Sequence, residues 1–578
     1  VAQSTETTDW VSRFADEVIE ESERRAPGKP VVVASGLSPS GPIHLGNLRE
    51  VMTPHLVADE VRRRGYSVRH LISWDDYDRY RKVPNGVEGV DESWSEHIGR
   101  PLTSVPAPRG SAHPNWAEHF KAAMVDALAE LGVEFDGISQ TAQYTSGVYR
   151  AQILHAMKHR ADIDAILEQY RTKKAPAKKP QQKAVDDAEI SAAEGSGAAG
   201  EDDGSSGSAG YFPYKPFCGG CGKDLTTVTA YDDDTTELTY VCTECGFSES
   251  VLLSEFNRGK LVWKVDWPMR WAYEGVVFEP SGVDHSSPGS SFQVGGQIVG
   301  SVFGGKQPIG PMYAFVGISG MAKMSSSKGG VPTPGDALKI MEPQILRWLY
   351  ARRRPNQSFK IAFDQEIQRL YDEWDKLDAK VADGSALPAD VAAHSRAVRT
   401  AGGELPRTAR ALPYRTLASV ADITAGAEDQ TLRILSELDP SDPLSSLDVV
   451  RPRLDKAEAW INTQVPADQR TVVRAEPDSE LIKSLDEQGR QSLRLLVDGL
   501  ADNWSLDGLT DLVYGVPKVQ AGFPADATAK ELPAEIKVAQ RTFFALLYVL
   551  LVGRDTGPRL PTLLLAVGQE RVRALLGE

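Results

Sequence analysis

The chain has little cysteine, no long apolar run and no excess of positive charge. Four cysteines in 578 residues are too few for a disulfide framework of the kind that staples small extracellular domains. No apolar run approaches the roughly 18 residues that span a bilayer, so no membrane partner is expected. The first 25 residues are acidic and polar and carry no apolar signal core, so a cytoplasmic location is expected. A formal net charge of −16 argues against a protein that coats nucleic acid without specificity. An RNA partner stays open, because salt screens charges beyond about 8 Å and local patches then decide contacts. Arg62, Arg63 and Arg64, then Arg352, Arg353 and Arg354, form two such patches, with a solvated helix end as the plain alternative. No fixed-period repeat is visible.

What is present suits a soluble chain of several domains. Hydrophobic residues make up 41% and charged residues 25%, ordinary values for a globular core and surface, and the length suggests about three to five domains. Residues 31–35 (VVVAS) read as a buried parallel strand, and a Gly- and Ser-rich turn follows over 36–41. Apolar Leu48, Val51, Met52, Leu56 and Val61 then recur at helix spacing. That helix stops at Gly65, behind arginines that complement its C-terminus, and Pro54 is expected to kink it. Residues 68–74 read as a second strand. Strand, Gly-rich turn, helix and strand open a doubly wound nucleotide-binding fold. Residues 172–210, Lys- and Pro-rich and then Gly-, Ser- and acid-rich, cannot bury enough apolar surface to hold a structure and read as a disordered spacer. The last 240 residues or so show few strand signals. Residues 542–551 and 560–576 read as packed helices of an all-α region.

Cys218-Gly219-Gly220-Cys221 and Cys242-Thr243-Glu244-Cys245 use every cysteine, twenty residues apart and each pair followed by glycine. This is the spacing of a zinc ribbon presenting four thiolates tetrahedrally, with iron in the same site as the alternative. A closed four-sulfur site has no open position and so a structural role. His113 and His119 are too few to define a second metal site, and none is expected there. His155 and His159 lack the glutamate of a metalloprotease motif and read as helix-surface residues.

Two loops carry candidate chemistry. Ser38-Pro39-Ser40-Gly41-Pro42-Ile43-His44-Leu45-Gly46-Asn47 joins a strand to a helix, where unpaired N–H groups suit phosphate and small residues let a nucleotide approach the backbone. His44 can donate to a phosphate oxygen that gains charge as pyrophosphate leaves, worth on the order of 3 kcal/mol of barrier. The second loop, Met321-Ala322-Lys323-Met324-Ser325-Ser326-Ser327-Lys328-Gly329-Gly330, offers lysine charge and serine donors to a polyphosphate. A turn histidine and a polar surface loop are the plain alternatives for each alone.

Together they resemble the HIGH and KMSKS signatures of class I aminoacyl-tRNA synthetases, here His44-Leu45-Gly46-Asn47 and Lys323-Met324-Ser325-Ser326-Ser327. Asn47 replaces the final histidine and Ser326 the second lysine, for which Lys328 is the nearest substitute. The segments from Trp74 to Pro84, Trp263 to Trp271 and Phe278 to His285 narrow the resemblance to the class I lysyl-tRNA synthetases, over residues 30–165 and 210–375. The resemblance implies ATP with Mg2+, lysine and tRNA(Lys) as substrates. It implies catalysis by His44, Asn47, Lys323, Ser325, Ser326 and Ser327, and ATP binding by Pro39, Gly41, His44, Gly46, Asn47 and Lys323. It implies a lysine pocket from Ser35, Gly36, Asp75, Asp76, Trp263, Glu279, Asp284 and His285, with Trp263 and His285 as the leading pair. Both substrate ammoniums require carboxylates, and those acids lie at ends of expected strands, where the crevice of such a sheet opens. Relatives often need bound tRNA before activation, and an inserted zinc module there supports the acceptor end.

The expected architecture is α/β: a doubly wound, Rossmann-like catalytic domain with a zinc-ribbon insertion, followed by an all-α C-terminal region. Its parts are a first catalytic half (1–84), a connecting insertion (85–260, with the spacer 172–210 and the ribbon 211–250) and a second catalytic half with the Lys323 loop (261–335). A helical stem-contact region (336–400) and an anticodon-binding domain (401–578) follow, the last offering Arg407, Arg410, Arg415, Arg451, Arg453 and Trp460. A monomer is the favoured state. Rival readings are an arginyl or glutamyl enzyme, a synthetase-like RNA-binding protein without activation, and a nucleotidyltransferase.

Overall fold

The computed structural model describes residues 9–171, 204–207, 209–286, 289–320, 330–528 and 530–577. They fall into two compact units: Val1–Leu338 with Pro343–Phe363 and Leu377–Leu405, and Lys339–Glu342 with Asp364–Lys376 and Pro406–Glu578.

The first unit is built on a parallel sheet. After α1 (Trp10–Arg25), β1 (Val31–Leu37) pairs in parallel with β2 (Val68–Trp74), and β2 with β3 (Asp136–Ser139). Beyond β1 the sheet continues through the backbone of Val277 and Phe278: Val277 N–H donates to Val32 O at 2.8 Å, Ala34 N–H to Phe278 O at 2.9 Å, and Ile309 N–H to Val277 O at 2.8 Å. Ser281–Gly282 with Met312–Tyr313, and Val316–Ser319 with Phe359–Ala362, pair in parallel too. β1 outruns the expected 31–35 because Gly36 and Leu37 keep their register against Ser73 and Trp74.

α2 (Leu48–Arg63) crosses from β1 to β2, and its expected apolar stripe is buried throughout. It runs on through Pro54, which has no N–H for the carbonyl one turn back, that of Glu50. Gly65, at φ +89°, takes the chain out of the helix. Two of the three arginines read there as a basic patch or a solvated helix end are paired within the chain. Arg63 pairs with Asp59 at 3.1 Å and donates to Arg399 O at 2.8 Å, and Arg64 pairs with Glu60 at 3.0 Å and with Asp16. Four further helices follow: α3 (Trp116–Glu130), α4 (Gln140–Thr145), α5 (Arg150–Lys158) and α6 (Arg160–Arg171).

Of the stretch expected to be a disordered spacer, residues 172–203 and 208 lie outside the described residues, but its end is ordered. Ser205–Gly207 pair antiparallel with Gly210–Phe212. Tyr211 and Phe212, buried in the core, anchor that partner, and backbone hydrogen bonds add a strand whatever its side chains. Thr226–Tyr231, Glu237–Cys242 and Ser248–Leu252 then form an antiparallel three-stranded sheet. The chain returns through Gly259–Leu261, paired with Tyr214–Pro216, straight into α7 (Trp263–Glu274).

All regular elements in the described residues of the second unit are helical. The segment expected as one helix over 560–576 is two, Leu560–Val567 and Gln569–Leu576, divided at Gly568 with φ +88°. Arg453 and Trp460, expected to be available to RNA, are buried. Arg453 pairs with Glu342 at 3.0 Å and Asp375 at 2.9 Å and lies 4.9 Å from the ring of Tyr371, which stacks on Tyr414.

Candidate active site

One large cleft opens at the carboxyl ends of β1 and β2, where a doubly wound sheet places its ligands. It holds a cavity of about 230 Å³. Gly36, Asn47, Asp75, Trp263, Glu279 and His285, all expected from the sequence, line it. So do Glu50 and Tyr313, which were not foreseen. Glu50 had a signal: it stands three positions after Asn47, on the same helix face, as a charge within an apolar stripe. Tyr313 sits on a two-residue strand and left none.

The cleft's carboxylates differ in compensation. Asp75 accepts from Arg270 Nη1 at 2.7 Å, and burial pushes it up while that guanidinium pulls it back. Glu279 accepts from the indole N–H groups of Trp267 at 3.0 Å and Trp271 at 2.7 Å, and burial pushes it up to about 7. Glu50 receives a long contact from Gly36 N–H at 3.4 Å and the hydroxyl of Tyr313. Among the described residues no lysine or arginine pairs with it, and burial pushes it up to about 8. A buried carboxylate without a cation is a ready partner for an ammonium group.

Trp263, Trp267 and Trp271 recur every four residues along α7. The first two stack with centroids 5.1 Å apart and planes 18° off parallel, and the His285 ring is 5.9 Å from Trp267. This wall suits a methylene stem and the face of a cation. Two expected pocket residues are turned elsewhere. Asp76 is fully buried between Lys121 Nζ at 2.6 Å, Ser139 Oγ at 2.7 Å and Thr141 N–H at 2.8 Å, and Ser35 Oγ lies 2.9 Å from His70 Nε2. In β1 the two-residue alternation of a strand carries the Ser35 side chain away from the cleft, and Asp76 lies in the turn after β2, with its carboxylate held by Lys121. Asp284 lies in the short helix Val283–Ser286, and its side chain falls outside what is described.

The His44 turn is a single 3-10 turn, Leu45–Asn47, with His44 at its N-cap. Leu45 N–H donates to Pro332 O at 2.8 Å. Arg49, buried behind the turn, donates to the carbonyls of Ala314 at 2.8 Å and Arg354 at 2.7 Å. The turn is thus bonded to chain on the far side of the Lys323 loop. Lys323, Ser325, Ser326 and Ser327 themselves lie outside the described residues. Gly46 is the middle residue of that turn, and Pro39 and Gly41 precede it in the chain.

The four cysteines converge, with their sulfurs within 4.8 Å of one another. Cys218 and Cys245 are 3.6 Å apart and Cys221 and Cys242 3.7 Å, close to the roughly 3.8 Å that a tetrahedron of 2.3 Å metal–sulfur bonds requires. The glycine after each pair, Gly222 at φ +76° and Gly246 at φ +74°, supplies the left-handed turn of each knuckle, which side chains disfavour. Gly222 N–H reaches Cys218 O at 2.9 Å and Gly246 N–H reaches Cys242 O at 3.0 Å. His119 is held by Ser111 Oγ at 2.8 Å, with the His113 ring 5.9 Å away.

A parallel α/β sheet with a histidine turn beside its cleft and a cysteine-rich insertion agrees with the class I aminoacyl-tRNA synthetase architecture. Residues 8–404 match the family model described as tRNA synthetases class I (K). The chain is 88% identical to the lysine–tRNA ligase of Streptomyces coelicolor across the full length of both. It is 32% identical to that of Thermococcus kodakarensis over 97% of this chain and 98% of the relative, and 32% identical to that of Treponema pallidum over 98% of each. The chain belongs to the class I lysyl-tRNA synthetases.

Proposed function

We propose that the cleft joins lysine to ATP and then to tRNA(Lys), with Glu50 as the partner of the ε-ammonium. The observation that carries this is the uncompensated Glu50 carboxylate in a cleft walled by Trp263. Asp75 already has Arg270, and Glu279 is engaged by two indoles. Trp263 and His285 flank the methylene stem, while Gly36 leaves room for the chain. The lysine carboxylate oxygen attacks the α-phosphorus of Mg-ATP; the bond to the bridging oxygen breaks and pyrophosphate leaves. A hydroxyl of the terminal adenosine then attacks the lysyl carbonyl and AMP leaves. No side-chain nucleophile takes part, so positioning and charge stabilisation supply the catalysis.

Pro39, Gly41, His44, Gly46 and Asn47 receive the ATP from the turn side, and Lys323, Ser325, Ser326 and Ser327 from the opposing loop. Cys218, Cys221, Cys242 and Cys245 hold a structural Zn2+, which fixes the fold of the small insertion. The helical second unit reads the anticodon, through residues other than the buried Arg453 and Trp460, because RNA specificity resides in unstacked loop bases. We place the enzyme in the cytoplasm as a monomer. The test is pyrophosphate exchange with each amino acid, with and without total tRNA. A signal confined to lysine supports the reading; a signal with arginine or glutamate instead, or none with lysine, overturns it.

A further inference from the structure

Arg270 contributes no atom to the lining of the main cleft, yet it controls the charge that the cleft presents. It is 6% exposed. Its Nη1 donates to Asp75 at 2.7 Å and Ser73 Oγ at 2.9 Å, and Nη2 pairs with Asp266. Its guanidinium carbon lies 5.5 Å from the Trp263 ring centroid. Asp266 also receives the hydroxyl of Tyr144, and Lys260, on the strand returning from the cysteine module, pairs with Asp78 and lies 3.9 Å from Asp266. Asp75, Asp78 and Asp266 thus face Arg270 and Lys260 in one buried network beside the pocket.

Gly36 is the point where two carboxylates meet. Its N–H faces Glu50 at 3.4 Å, and a Cβ at this position would stand 3.9 Å from Asp75 Oδ2. Two equivalent anions here would give a substrate ammonium two places to settle and would loosen the choice of chain length. We propose that Arg270 is a specificity-determining positioning residue: by occupying Asp75 and backing Trp263, it leaves Glu50, of the two carboxylates that meet at Gly36, as the one without a cation to offer the substrate ammonium. This rests on the lysine reading of the cleft. A one-methylene difference alone discriminates only about 10- to 200-fold, so a second free anion is enough to erode it.

The experiment measures kcat/KM for lysine and for ornithine, one methylene shorter, in the full-length enzyme by amino-acid-dependent pyrophosphate exchange with tRNA present. Arg270→Gln is expected to lower the lysine-to-ornithine ratio at least tenfold. Arg270→Lys, which keeps the charge, and Asp75→Asn/Arg270→Gln, which removes anion and cation together, are expected to hold the ratio within about threefold of wild type. An unchanged ratio in Arg270→Gln, or an equal loss in all three variants, overturns the inference. Should Arg270→Gln fail to fold, the other two decide: both holding the ratio supports it, and either losing it overturns it. Wild type that is inactive with lysine would instead refute the reading of the cleft itself.

Discussion

The cysteine cluster and the main cleft gather their polar atoms over very different stretches of chain. Four sulfurs converge from residues 218–245, two tight turns on one antiparallel sheet. The cleft draws Glu50 from a helix, Asp75 from a strand end, Trp263 from the first turn of α7 and Glu279 from beyond it. A cluster built from local turns depends on its ligands and little else. A cleft built from distant segments depends on which of its charges are already spoken for.

The largest effect should come from the local site. Cys242→Ser is expected to abolish stoichiometric metal and, because structural zinc contributes about 10–16 kcal/mol to folding of such elements, to unfold the module. Metal analysis with limited proteolysis of the Thr226–Leu252 region reads both; retained metal and protection would contradict the assignment. In the cleft, Glu50→Gln is expected to reduce kcat/KM for lysine by roughly 10² to 10³, the loss of about 3–4 kcal/mol typical when one member of a buried charge pair is removed. Saturation kinetics in lysine check this, and a fall below tenfold would move the ammonium site to another carboxylate.

The pH response sharpens the contrast. Glu50 is raised to about 8, above its unfolded value of about 4.3. Without lysine the folded state therefore holds a proton that the unfolded state has lost, and this group's contribution to stability falls as pH rises from about 4.3 to 8. Bound lysine selects the ionised carboxylate, so its KM should fall as pH climbs towards 8 and then level off, and Glu50→Gln should flatten that slope. The smallest effect is expected at the histidine pair: His119→Ala should leave metal content at one ion per chain, and a second ion lost in the variant would reveal a site there.

Much of this was legible in the residues. The burial of Leu48, Val51, Met52, Leu56 and Val61, the strand at 68–74 and the convergence of the cysteines follow from patterns within one element or one pair of turns. Trp263 and His285, expected in the pocket from the motif resemblance, line the cleft. The misses have a common cause. Asp76 and Asp75 are neighbours with the same chemistry, and only the turn that follows β2 sends one into the cleft and the other to Lys121. Arg453 looks like an RNA contact until Glu342 and Asp375 close on it. Arg63 and Arg64 look like a basic patch until Asp59, Asp16 and Glu60 take them up.

By itself the sequence determined the class of enzyme, the α/β fold and the meeting of the four cysteines, because each is written in residues close together along the chain. Tertiary structure alone decided which carboxylate of the cleft has a cation beside it and which does not. Charge compensation acts between groups a few ångströms apart in space, and Arg270 reaches Asp75 across nearly two hundred positions of sequence.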